Sequence, residues 1–131
     1  MTNYRSKIKY KYIGIDPGKS GGIACIDEDE NIIAYKCPDS SEDMALLFEV
    51  IIGDTPPDNI RLVMERVWAR PTNAVRAAFS YGTNYGQWLG IAASHEVKMN
   101  TAIPSDWILS LIHISEPTRL RRISYAVFCL K

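Results

Sequence analysis

Two carboxylates, Asp16 and Glu65, stand where chemistry is expected. Each closes an apolar run: Tyr12-Ile13-Gly14-Ile15 leads into Asp16, and the run from Ile60 to Met64 leads into Glu65. A polar side chain does not end a buried strand without a job or a partner. Two acids on neighbouring strand ends can share divalent ions, and ions held in that way activate water in phosphodiester cleavage. Each acid also has a plainer reading. Asp16-Pro17-Gly18 is good turn chemistry, and Glu65 could pair with Arg66 or Arg70. With only two histidines in the chain, His95 and His113, a histidine cluster is excluded. Any metal must therefore be held by carboxylates, which points to a hard ion, magnesium or manganese. Gly18-Lys19-Ser20 is no P-loop. Ile13 occupies the position where that pattern needs a glycine, and a strand rather than a helix follows.

The elements that must position these acids can be read from periodicity. Residues 7–15 alternate and then turn continuously apolar, which predicts a strand with a buried far end. Lys7, Lys9 and Lys11 lie on one side of it and read as a solvated face. Strands over 21–26 and 32–37, separated by the acidic turn 27–31, complete an antiparallel meander. Asp39 or Ser40 caps a helix that runs to about Ile52 and stops at Gly53, with Met44, Leu47, Phe48 and Ile51 as its apolar stripe. That helix is the crossover to a fourth strand ending at Glu65. Thr72 caps a long helix over 73–96, unless the helix breaks near Gly82. Gly82, Gly86 and Gly90 recur at four-residue spacing on it, so a backbone-close partner is expected: the sheet, a twin helix or a nucleic-acid backbone. Phe79, Tyr85 and Trp88 read as core or dimer residues, and His95 as a residue favourably placed near the helix C-terminus. A fifth strand is predicted over 97–103. The fold class is thus α/β, a five-stranded mixed sheet of three antiparallel strands followed by two parallel ones, with flanking helices.

Composition sets further bounds. The 131 residues are 47% hydrophobic and 23% charged, which suits one domain with a modest core. No apolar run approaches the ~20 residues that span a bilayer, so no membrane partner is expected. Cys25, Cys37 and Cys129 lack metal-ligand spacing, and no signal peptide is evident. A reducing, cytoplasmic setting follows, with Cys25 and Cys37 as small core residues.

The last stretch reads differently from the rest. Residues 109–131 resemble the translation of a sequencing-library transposase adapter, in two blocks in register around Leu120-Arg121-Arg122. The domain division expected is therefore 1–108 as the folded unit and 109–131 as a non-native tail. The whole chain balances 15 basic against 15 acidic residues, and setting aside the tail's four basic and one acidic residue leaves 11 against 14, a net of −3. DNA binding must then come from local patches rather than a global basic surface.

Ile13-Gly14-Ile15-Asp16-Pro17-Gly18 followed by Gly22-Ile23-Ala24 resembles the opening of the RuvC Holliday-junction resolvases, members of the RNase H-like fold. Met64-Glu65-Arg66-Val67-Trp68-Ala69-Arg70-Pro71, then Phe79-Ser80-Tyr81-Gly82, Tyr85-Gly86 and Pro104-Ser105-Asp106-Trp107, is similar to the phage-type branch. The resemblance spans nearly all of 8–107. It implies a crossover-junction endodeoxyribonuclease that uses Mg2+ or Mn2+, acts as a homodimer on four-way DNA junctions and works in the cytoplasm of a bacterial or phage-infected cell. Asp16 is then the central catalytic metal ligand and Glu65 the second. The family's remaining acids lie on a C-terminal helix after Trp107, which no residue here matches, and Ile108 stands in place of its lysine. That helix is expected to be missing or replaced, and activity weak or lost. Arg66, Arg70 and Arg76, with Trp68 beside them, are the expected DNA contacts. Two other classes stay open: a non-catalytic RNase H-like DNA-binding module, and a fragment of an actin-like ATPase or sugar kinase.

Overall fold

The computed structural model describes residues 9–66 and 70–102. Five strands, β1 (Lys11–Asp16), β2 (Gly22–Ile26), β3 (Ile32–Lys36), β4 (Ile60–Glu65) and β5 (Met99–Ala102), form one sheet in the order β3-β2-β1-β4-β5. β1, β2 and β3 pair antiparallel in sequence, whereas β4 runs parallel to β1 and β5 parallel to β4. This is the expected mixed sheet. The predicted segments beyond Ala102, including the C-terminal helix position and the tail 109–131, lie outside the described residues.

The meander closes on a self-capped turn. Asp27 accepts hydrogen bonds from the backbone N–H groups of Asp29 and Asn31 and from the Asn31 side chain. These bonds, the Asn31 side chain first, hold the Asp27 carboxyl below its ordinary value. The acidic run is therefore a solvated hairpin tip.

Helix α1 (Ser41–Ile52) carries the chain from edge strand β3 across to β4. Its start is the predicted one: the Ser40 side chain accepts the Asp43 N–H at 3.1 Å. Its end is Gly53 at φ 51°. The last turn contains no basic residue of its own. Lys11 of β1 supplies the charge instead, donating from Nζ to the carbonyls of Ile51 at 2.9 Å and Ile52 at 3.1 Å. The reading of Lys11 as a solvated residue is thus corrected. Lys11 shares the sheet face of Ile13, and its long stem reaches the orphan carbonyls at the helix end.

Helix α2 runs unbroken over Val75–Ser94. Thr72 does not cap it; the residue before the first turn is Ala74, with no side-chain cap. His95 closes the helix, in keeping with its expected place, and its ring packs on Phe48 with centroids 5.6 Å apart. Both helices lie on the same sheet face, and the core there joins Ile13, Ile15, Leu62 and Met64 of the sheet to Phe48 and Trp88 of the helices. The opposite face holds a smaller cluster, Ala24 and Ile26 with Tyr12 and Ala34. Trp88 belongs to the core, Tyr85 packs at its margin, and Phe79 is 78% exposed, so its core reading fails. Both described cysteines are buried free thiols.

Candidate metal and DNA site at the β1 and β4 ends

β1 and β4 pair in parallel, with Ile13 beside Leu62 and Ile15 beside Met64. The next residue on each strand is a carboxylate. Asp16 and Glu65 therefore end adjacent strands at the same level, about 4.8 Å apart in the pairing direction. Side chains alternate across a sheet. With Ile15 and Met64 facing the helix-covered core, both acids project to the opposite face. Asp16 is buried at 8% exposure, Glu65 is half-buried, and each has a polar interaction partner.

A compact turn holds Asp16 in place. Pro17 and Gly18 are buried, Gly18 has φ 115°, and the Gly21 N–H donates to the Gly18 carbonyl at 3.0 Å. A Cβ on Gly18 would lie 2.6 Å from Tyr81 Cε2, and one on Gly21 would lie 2.0 Å from the Asp16 carbonyl oxygen. Glycine is required at both places, by a left-handed backbone with close packing at the first and by close backbone approach at the second. The turn rests on α2 through Asn84, which is 6% exposed. Its Oδ1 accepts the Gly18 N–H at 2.7 Å, and its Nδ2 donates to Cys37 Sγ at 3.2 Å. Sequence reasoning missed Asn84. Its one signal is a polar residue on the buried side of α2, three positions from Tyr81 and four from Trp88.

Two carboxylates suit a hard cation. Magnesium in particular is held by one or two carboxylates plus substrate phosphates and water, not by a full protein cage. Among the described residues there is no group of three or more His, Cys, Asp or Glu able to hold a metal ion. Arg66, Arg70 and Arg76 are all exposed just beyond Glu65 or on the first turn of α2. Trp68 lies outside the described residues. A cleft of about 280 Å³ opens beside the turn, lined by Lys19, Asp39, Phe79, Thr83, Asn84 and Gln87 among others. Lys19 and Asp39 offset each other, so the cleft adds no net attraction for phosphate.

The glycines of α2 face outward. Among the described residues, a Cβ added at Gly82, Gly86 or Gly90 meets nothing within 4 Å beyond the helix's own backbone, so the sheet is not their close partner.

No family model matches the sequence, and neither does any curated protein. Solved structures do. A structure described as T. thermophilus RuvC in complex with Holliday junction substrate aligns with 75% of this chain and 67% of its own, at 15% identity and a TM-score of 0.51. A second, described as Thermus thermophilus RuvC structure, aligns with 81% of this chain and 73% of its own, at 14% identity and a TM-score of 0.47. The chain has the fold of the first of these, the RNase H-like sheet with flanking helices. Among the described residues no helix is long and apolar enough to cross a membrane.

Proposed function

We propose that this chain is of the crossover-junction type of metal-dependent endodeoxyribonuclease, which hydrolyses phosphodiesters in branched DNA, and that its own cleavage is weak or lost because no third metal-ligating residue stands beside the acid pair among the described residues. The observation that carries the reading is the register placing Asp16 and Glu65 side by side at parallel strand ends. The RuvC-like fold and the ordered sequence motifs support it. Asp16 and Glu65 are the residues that would hold Mg2+ or Mn2+. When bound, such an ion supplies Lewis-acid stabilisation of charge on a phosphodiester. The chain's own contribution is positional. The turn fixes Asp16 and β4 fixes Glu65. Arg66, Arg70 and Arg76 neutralise phosphates, and Trp68 supplies a stacking surface for unpaired bases.

A homodimer fits the same reading. Val75 at 87% and Phe79 at 78% exposure flank the outward glycines, with Leu89 further along at 38%. Such a stripe lets a twin helix approach backbone to backbone. A second reading, a junction-binding module without cleavage, draws on the lack of a third metal-ligating residue beside the pair among the described residues.

The test is a gel shift of a four-way junction against linear duplex of the same sequence, with nicking followed in Mg2+. The proposal expects tighter junction binding. Arg66→Ala with Arg70→Ala should flatten the salt dependence by about one log unit of slope for each phosphate that no longer meets an arginine. Metal-dependent nicking abolished by Asp16→Asn supports the nuclease reading. Junction binding without nicking supports the module. Equal binding to junction and duplex overturns both.

A further inference from the structure

Among the described residues, Asn84 is a buried polar residue that the proposed reaction does not use. It completes a closed ring of hydrogen bonds around the Asp16 turn. Gly18 N–H donates to Asn84 Oδ1 at 2.7 Å, and Asn84 Nδ2 donates to Cys37 Sγ at 3.2 Å. Cys37 N–H then donates to the Gly21 carbonyl at 3.0 Å, and Gly21 N–H to the Gly18 carbonyl at 3.0 Å. Cys37 Sγ also donates to the Pro38 carbonyl at 3.4 Å. The ring links α2, the end of the meander and the turn after β1. The orientation of the amide is dictated by its partners. A backbone N–H needs an acceptor, so the oxygen faces Gly18 and the NH2 group faces the sulfur.

We infer that Asn84, oriented by Cys37, is a positioning residue for Asp16. The inference rests on the reading of Asp16 as a metal ligand. The coupling runs through stiff backbone. Pro17 has its φ locked by its ring, and the residue before a proline is confined to extended conformations. Fixing the Gly18 N–H therefore fixes the direction in which the Asp16 side chain leaves the strand. The hold comes from the helix-covered side of the sheet, while the carboxylate projects to the other side. Asn84 thus sets the ligand's aim without occupying its space. An apolar residue at position 84 would leave the buried Gly18 N–H without its acceptor and loosen the turn. The sulfur has a specific part: it takes one amide hydrogen and gives its own to Pro38, a pattern that a serine hydroxyl can reproduce and an alanine cannot.

The experiment uses the full chain and Mn2+ alone as the probe. Mn2+-induced broadening of backbone amide signals near Asp16 gives the affinity. Hydrogen exchange of the Gly18 amide reports the turn, and the urea midpoint reports the fold. Asn84→Ala should speed Gly18 exchange and weaken Mn2+ binding by about tenfold, the lower end of the range for groups that orient metal ligands. Cys37→Ala should act in the same direction and Cys37→Ser should restore both readouts. A purely structural role would lower the urea midpoint and leave Mn2+ affinity unchanged. If Asn84→Ala fails to fold, the Cys37 pair decides. Wild-type Mn2+ affinity in a folded Asn84→Ala or Cys37→Ala chain overturns the positioning role while the metal reading stands. No broadening near Asp16 in the unaltered chain overturns the metal reading and, with it, this inference.

Discussion

Ile15 of β1 pairs with Met64 of β4 in a parallel ladder, and that one register places the two carboxylates together. A slip by one residue would turn Asp16 and Glu65 onto opposite sheet faces. The slip is resisted by the core, because Ile13, Ile15, Leu62 and Met64 are all buried under the helices at 0–4% exposure. Packing on one side of the sheet thus sets which side chains meet on the other.

Lys11→Met keeps the aliphatic stem and removes the ammonium that caps α1. Its two hydrogen bonds to helix-end carbonyls, at 2.9 and 3.1 Å, disappear with it. The expected cost is about 1–2 kcal/mol, read from the urea midpoint. Lys9→Met provides the contrast, since Lys9 makes an exposed pair with Asp29 at 3.5 Å and should be close to neutral.

Gly21→Ala places a methyl group 2.0 Å from the Asp16 carbonyl oxygen. The backbone must move, so a loss of about 2 kcal/mol or more is expected. The Asp16 and Gly18 amide resonances should shift with it. Equal stability of Gly21→Ala and the unaltered chain would show that the turn is not built as described.

Burial lifts the Cys25 thiol from 9.0 to about 11. Well below pH 9 the thiol is protonated in the folded and unfolded chains alike, and pH has no leverage through it. Between pH 9 and about 11 the unfolded chain releases a proton that the folded chain keeps. Stability should therefore fall as pH rises through that window. Cys25→Ala should flatten this part of the profile, measured by urea midpoints at intervals from pH 8 to about 10.5.

Gly86→Leu tests the outward stripe on α2. Among the described residues, nothing outside the helix's own neighbouring backbone lies within 4 Å of the added Cβ, so the substitution is expected to fit the monomer and to gain up to about 1 kcal/mol of helix propensity. The proposed dimer should weaken. Light scattering coupled to size exclusion should show a dimer for the unaltered chain and a shift towards monomer for the variant.

Much of this architecture is legible in the sequence. Alternation in the first strand and short apolar runs in the others mark the sheet, Ser40 and Gly53 bound α1, and the two strand-ending acids mark the candidate site. Asn84 and Lys11 are not legible in this way. Each acts across about 40 or more residues of chain on a backbone group, and Asn84 on the Cys37 sulfur as well. Nothing in a local pattern distinguishes such a residue from a solvated one. Thr72 misleads for a related reason: a good capping residue lies three positions before the first turn, but the chain between does not bring it to the helix end. Phe79 carries core-like spacing, yet α2 turns it outward because Tyr81, Asn84 and Trp88 take the inward side.

Asp16 and Glu65 are proposed to hold a divalent cation jointly. Calorimetric titration of Mn2+ into the unaltered chain, Asp16→Asn and Glu65→Gln tests it most directly. The expected result is a site in the unaltered chain that each substitution weakens by about tenfold or more, with urea midpoints that show all three chains folded. Mn2+ binding of equal strength in all three folded chains would contradict it.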